Sequence, residues 1–204
     1  MTDVPGCLVG LPAPDFTAPA VLGNNEIDPR FSWHAHRGDD YGLLFFYPLD
    51  FSFVCPSEII AHNNRLGAFT ERGCKVAAVS VDSQFTHLAW KRTPLEEGGL
   101  GPVDFPLVSD LSHAIARAHG VLLDERIALR ASFLIDRAGI VRHQMVNDPS
   151  LGRDVDETLR VLDALIFHDT HGEVCPAGWR QGDEAMAPTP EGVAAFLTKH
   201  APRL

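Results

Sequence analysis

The sequence predicts an α/β fold: a central sheet between layers of helix, with a short β extension before it and an arm after it. Three observations carry that reading. Apolar runs of strand length alternate with segments of helical period, in the order strand–helix–strand and then strand–strand–helix. Glycine and proline punctuate the joins. From about Thr170 the composition turns to glycine, proline and polar residues.

The first forty residues hold two short strands, near residues 15–21 and 31–34. The apolar run at 43–47 is a buried strand, and Ile59, Ile60, Leu66 and Phe69 then recur at helical spacing. Residues 75–81 form a second apolar strand, followed by a helix through Leu88 and Trp90. A Pro/Gly-rich stretch at 94–106 leads to a helix at 112–119. Strands at 132–136 and 140–146 are joined tightly by Arg137-Ala138-Gly139. The clearest helix carries an apolar stripe of Val155, Thr158, Leu159, Leu162, Leu165 and Ile166, and Asp154 with Glu157 resembles a capping box. Residues 191–200 form a short terminal helix. This order is that of a thioredoxin-like three-layer sandwich with added elements. Residues 1–169 make the domain and residues 170–204 an arm, not a second domain.

Bulk properties exclude several roles. A formal net charge of −10 repels nucleic acid and anionic membrane. No apolar run approaches the roughly 20 residues that span a bilayer. The amino end, with neither positive flank nor apolar core, does not read as a secretory signal, so the expected location is cytoplasmic. Four scattered cysteines, Cys7, Cys55, Cys74 and Cys175, build neither a disulfide framework nor a zinc knuckle. The question is which of them react.

Cys55 sits where a strand hands over to a helix. Free backbone N–H groups and the positive end of the helix dipole favour an anion there. Thiols so placed have pKa values of roughly 3.5–7.5 instead of about 8.5. That is a nucleophile's address.

Pro48-x-x-x-Ser52-x-x-Cys55 resembles the active-site motif of the peroxiredoxins. The likeness runs the length of the chain, through Ala13-Pro14-Asp15-Phe16, Ser80-Val81-Asp82-Ser83, His87-Leu88-Ala89-Trp90 and Arg130-Ala131-Ser132-Phe133. Near the end, His171-Gly172-Glu173-Val174-Cys175-Pro176 resembles the typical 2-Cys subgroup. The resemblance implies a thiol peroxidase acting on hydrogen peroxide and organic hydroperoxides, with no metal, haem or flavin of its own.

By that resemblance Cys55 is the peroxidatic cysteine, and its thiolate attacks the O–O bond to give a sulfenic acid. The Ser52 hydroxyl, helix N–H groups and Arg130 would aim donors at the charge developing on the leaving oxygen. Arg130 would also favour the thiolate, and Pro48 would shield it from water. Many members carry Thr at the position of Ser52, so the serine keeps the hydroxyl but lacks the methyl that restricts its rotamer. Cys175 is implied as the resolving cysteine, condensing with Cys55 to a disulfide between the subunits of a homodimer. Phe85, Thr86, His87 and Trp90 resemble the family's dimer–dimer contact, which implies a ring of five dimers. The reductant implied is thioredoxin or a flavoprotein disulfide reductase. Gly98-Gly99-Leu100-Gly101 matches a stretch of the oxidation-sensitive members, whereas Phe196-Leu197 replaces their Tyr-Phe pair, so intermediate resistance to overoxidation is expected.

Blander readings stand beside these. Cys55 could be an inert buried thiol, Cys175 a mere arm residue and Arg130 a surface ion-pair residue. Cys74, after Gly73 at a strand entrance, reads as packing, and Cys7 is assigned no role. His34-x-His36 would share one strand face and His168-x-x-His171 lies at a helix end, but pairs lacking Cys or carboxylate partners make a poor metal site. Gly98 to Gly101 lacks the Lys-Ser/Thr of a phosphate loop. The rival class is a redox-controlled holdase. A general disulfide oxidoreductase is disfavoured because no Cys-x-x-Cys is present.

Overall fold

The computed structural model describes residues 6–204, which fall into two compact units that divide between Val155 and Asp156. In the first unit, β1 (Thr17–Val21) and β2 (Ile27–Ser32) form an antiparallel hairpin with a bulge between Ala18 and Ala20. The expected strand at 31–34 is corrected here. Ser32 ends β2 and its hydroxyl accepts from Ala35 N at 3.2 Å, capping α1 (Trp33–Arg37). Trp33 and Arg37, four apart, are the buried pair of that turn. His34 and His36 therefore lie on a helix, not on one strand face.

β3 (Tyr41–Phe46) is buried at every residue, which explains its unbroken apolar run. It leads to α2 (Cys55–Asn64) and α3 (Leu66–Glu71). These were expected as one helix. Arg65, at φ −110° and ψ 6°, separates them, and its N–H turns back tightly to His62 O at 3.1 Å. β4 (Cys74–Ser80) follows, then α4 (Gln84–Arg92), capped by Ser83 through Thr86 N at 3.1 Å. A 3-10 turn (Leu95–Glu97) closes onto the glycine stretch. A Cβ on Gly99 would sit 1.8 Å from Thr93 O, so no other residue fits that approach.

The sheet is completed by β5 (Leu107–Ser109), β8 (Arg130–Ile135) and β9 (Val141–Asn147). Between them come α5 (Ala114–Ala118), shorter than the expected helix at 112–119, and a two-residue ladder of β6 (Leu122–Leu123) with β7 (Ile127–Ala128). The seven strands run β2-β1-β5-β4-β3-β8-β9, with β3, β4 and β5 parallel and β8 and β9 antiparallel. Leu44 and Phe46 of β3 join Ala77, Val79, Val108, Phe133 and Ile135 in one apolar cluster. Phe45, of the opposite alternation, stacks on His62 of α2 at 4.0 Å between ring centroids. β3 lies inside the sheet between β4 and β8, so the chain leaves its carboxyl end toward Cys55 with a strand on either side.

α6 (Val155–His171) starts at the last residue of the first unit and runs into the second; Val155, Thr158 and Leu162 are buried, while Leu159, Leu165 and Ile166 are half-buried. The arm continues through a bridge between Val174 and Met186 to α7 (Pro190–His200), capped by Thr189. Among the described residues no helix is long and apolar enough to cross a membrane.

Two buried histidines give the first unit an acid weakness. His62 and His119 bond through Nδ1 to Glu58 O (2.7 Å) and Ile115 O (2.8 Å), and the Nε2 of each has no partner among the described residues. Burial pushes both imidazoles down from 6.5 to about 4, with the Arg153 charge adding to the effect at His62. The unfolded chain therefore binds more protons than the native one over that interval. This contribution to stability is complete above pH 6.5 and is lost as pH falls through about 4, by about 3 kcal/mol per histidine. Urea midpoints measured at neutral pH and near pH 4.5 should fall steeply for the native chain. They should fall less for His119→Phe, which replaces the ring between Phe46 and Phe133; equal falls would refute the role of His119.

Candidate active site

β3 ends at Phe46, and residues 47–54 carry the chain to α2, whose first residue is Cys55. No side chain caps this helix end, and Pro56 brings no N–H, so the remaining first-turn N–H groups stay available to an anion. Cys55 is fully buried. Across the sheet, Arg130 is the first residue of β8, and its Nη1 donates to Cys55 Sγ at 3.3 Å. The two residues expected to act together are thus in contact.

A further pair surrounds them. Arg130 Nη1 also donates to Glu58 Oε2 at 2.7 Å, and its Nε to Pro149 O at 2.7 Å. Glu58 accepts from Arg153 three times: from the backbone N at 2.9 Å, Nε at 2.8 Å and Nη2 at 2.9 Å. Arg153 Nη1 is spent on Ala131 O at 2.6 Å and Ser132 Oγ at 3.2 Å, and its guanidinium lies over the Phe45 ring. Burial works against charge on Glu58. The bonds and charge of Arg153, with Arg130, nevertheless hold its carboxyl below the ordinary carboxylate range. At Arg130 burial also opposes the charge, yet Cys55 and Glu58 raise its pKa. Two guanidinium charges face one carboxylate, leaving one surplus positive charge against Cys55 Sγ. A thiolate there completes neutrality.

Pro48 is buried and Ser52 half-exposed. The Ser52 hydroxyl donates to Leu49 O at 2.7 Å within its own loop. Between them Phe51 adopts φ +50°, a left-handed conformation unusual for a bulky residue. Its ring leans on Trp90 with centroids 5.6 Å apart. Of the four residues expected at a dimer–dimer contact, His87 and Trp90 are fully buried inside the chain, Thr86 is half-buried and Phe85 is 67% exposed. The side chains of His87 and Trp90 meet the 47–51 loop, His87 at Asp50 and Trp90 at Phe51.

The remaining cysteines differ sharply. Cys74, buried at the start of β4, has its thiol pushed up to about 12 by burial, with the Asp40 charge adding to it. That is a packing residue. Cys7 is exposed. In the second unit, the half-buried Cys175 points its Sγ at Ala164 O, 3.6 Å away. Burial raises its thiol pKa while Arg160 opposes the rise. Trp179 folds this segment back, its ring against Phe167 and its carbonyl accepting from Arg160 Nη1 at 2.9 Å. His168 and His171 bond to Glu173 O and Phe167 O, and no described group of three His, Cys, Asp or Glu could hold a metal ion.

Sequence reasoning missed Glu58 and Arg153. A signal for Glu58 existed: an acid three residues after Cys55, on the face that buries Ile59 and His62. Arg153 left none, since its partner lies 95 positions away.

Known proteins carry the same arrangement of sequence. The AhpC/TSA family model matches residues 9–144, and the model for the C-terminal domain of 1-Cys peroxiredoxin matches residues 164–199, which include Cys175. Alkyl hydroperoxide reductase C of Helicobacter pylori is 53% identical over 192 residues, covering 94% of this chain and 97% of the relative. Peroxiredoxin-2 of Cricetulus griseus is 50% identical over 193 residues, covering 94% and 96%. The crystal structure of reduced Plasmodium vivax 2-Cys peroxiredoxin superposes with a TM-score of 0.92 at 48% identity, covering 94% of this chain and 99% of that one. With a family model spanning most of its length and relatives near half identity across nearly all of it, the chain belongs to the AhpC/TSA family, among the 2-Cys peroxiredoxins.

Proposed function

We propose that Cys55 carries the thiol-dependent peroxidase activity of this chain, with Arg130 as its electrostatic partner. The observation behind it is the 3.3 Å contact from Arg130 Nη1 to Cys55 Sγ inside a cradle bearing one surplus positive charge. The thiolate sulfur bonds to one oxygen of a hydroperoxide and the O–O bond breaks. The departing alkoxide or hydroxide takes a proton and leaves as alcohol or water. Negative charge grows on that oxygen, and Arg130 with the uncapped N–H groups of α2 is preorganised to meet it. Glu58 holds Arg130 in place and touches no reacting atom. Pro48 covers the thiolate, and Ser52 supplies a hydroxyl at the loop's end.

Cys175, on the arm of residues 170–204, is the resolving thiol in this reading. It attacks the Cys55 sulfenic sulfur, forms an intersubunit disulfide and releases water. Its raised thiol pKa suits a group that stays protonated until its partner is oxidised. A dithiol protein, thioredoxin or a flavoprotein disulfide reductase, then supplies two electrons. The working unit is a homodimer in a reducing cytoplasm, and the exposed Phe85 supports further association of dimers into a ring.

Two outcomes test this reading. A disulfide peptide map of reduced protein treated with one equivalent of hydrogen peroxide should give a Cys55–Cys175 link joining two chains; Cys55 left reduced would remove the nucleophile. Arg130→Gln leaves Glu58 paired with Arg153, so the fold should persist by circular dichroism. Its rate of peroxide oxidation should fall by about 10²–10³. A rate equal to that of the native chain would strip Arg130 of its role.

A further inference from the structure

We propose that Asp50 and His87 hold one buried proton between them, and that this pair positions the loop bearing Pro48 and Ser52 over Cys55. The inference rests on the peroxidase reading above and adds two positioning residues to it.

The loop leaves β3 at Tyr47 and is pinned at Asp50 from several sides. Asp50 Oδ1 accepts from Tyr47 OH at 2.8 Å, and Oδ2 lies 2.7 Å from His87 Nδ1. The Asp50 N–H donates to Asp82 Oδ2 at 2.8 Å, an oxygen that also accepts from Ser80 Oγ at 2.7 Å. The side chains of Asp50 and His87 are both wholly buried. The next residue is Phe51, held at φ +50°, and after it comes Ser52. A left-handed aromatic residue persists only where its surroundings over-determine it. Here those surroundings are the Asp50 anchors on one side and Trp90 on the other.

Counting hydrogens fixes the protonation. His87 Nε2 lies 3.2 Å from Val108 O, a carbonyl that can only accept. Nδ1 faces a carboxylate at 2.7 Å, and the Tyr47 hydroxyl, 3.4 Å from Nδ1, commits its hydrogen to the much shorter 2.8 Å bond to that same carboxylate. A neutral ring has a single N–H, so beside an ionised Asp50 one of the two contacts would have no hydrogen. One more proton resolves it, either as imidazolium facing carboxylate or as a carboxylic acid donating to Nδ1. The titratable groups around the pair agree. Burial raises the Asp50 carboxyl above its ordinary range, although His87 draws it back, and the Asp82 charge reinforces the rise. Burial also pushes the Tyr47 hydroxyl well up, which keeps it a donor. Losing the shared proton would set lone pair against lone pair beneath the loop.

The proton itself is observable in the reduced native chain. Proton NMR between about pH 6 and 8, the window in which ordinary histidines titrate, should show a slowly exchanging resonance far downfield of the amides and coupled to the His87 ring. Its absence would overturn the shared proton even if every variant misfolded. Asp50→Asn keeps the shape and removes the carboxylate. Peroxide oxidation of Cys55 in that variant should slow about tenfold or more through misplacement of the loop. At any one pH, alkylation of Cys55 by iodoacetamide in that variant should stay within about twofold of the native rate, since Arg130 and the start of α2 are untouched. Oxidation as fast as in the native chain would overturn the positioning role. A native chain that fails to react with peroxide would sink the peroxidase reading instead, while leaving the resonance in place.

Discussion

The buried carboxylate of Glu58 is the point on which the site converges. It sits on α2, yet its oxygens take hydrogen bonds from Arg130 on β8 and from both the backbone and side chain of Arg153, just before α6. A single residue thus fixes the distance between the helix that carries Cys55 and the strand that carries its cationic partner. The stability argument for such an arrangement is weak. Taking three charges out of water costs several kcal/mol per ion, and well-packed hydrocarbon of the same volume serves as well or better. What hydrocarbon cannot supply is the imbalance: two cations, one anion, and a sulfur atom in contact with the surplus. The cradle makes sense as a field built for Cys55, held rigid by a fully bonded network.

The same chain shows how local environment divides three thiols among three chemistries. Cys74 is enclosed at a strand start, and burial leaves it protonated and inert. Cys175 is half-buried beside a carbonyl, and the Arg160 charge only moderates the effect of burial. Cys55 alone meets both a helix amino end and a guanidinium at hydrogen-bond distance. The difference is a matter of what shares the burial.

Much of this was legible in the sequence, and the gaps have physical causes. Long, strongly patterned elements were readable: β3 by its apolar run, β9 by its turn with Gly139, α6 by its stripe. Cys55 and Arg130 were readable as types in a pattern, and the structure joins them. The strand expected at 31–34 failed because Phe31 and Trp33 alternate like strand residues, while the Ser32 cap decides for helix. β5, β6 and β7, of two or three residues each, are defined by their neighbours in the sheet and not by any period of their own. Glu58 with Arg153, and Asp50 with His87, are pairings of distant residues made by tertiary folding. His87 and Trp90, legible in the sequence only through their resemblance to a dimer–dimer contact, are buried and underpin the loop.

That underpinning bears on Ser52. Its hydroxyl hydrogen is committed to Leu49 O, so toward a peroxide the oxygen can only accept unless the side chain turns. Releasing one exposed hydrogen bond costs about 1 kcal/mol, and serine, without the β-methyl of threonine, turns easily. The backbone beneath it does not share this freedom. The left-handed Phe51 stores about 1–3 kcal/mol, and any slackening of the Asp50 anchor would release that strain by moving Ser52 and Pro48 together. In the proposed reading, a mobile hydroxyl on a rigid loop would let Ser52 turn to donate while its position stays fixed. The reverse arrangement would scatter the hydroxyl over many positions, in contrast to the fixed geometry that Arg130 and Glu58 establish at the sulfur.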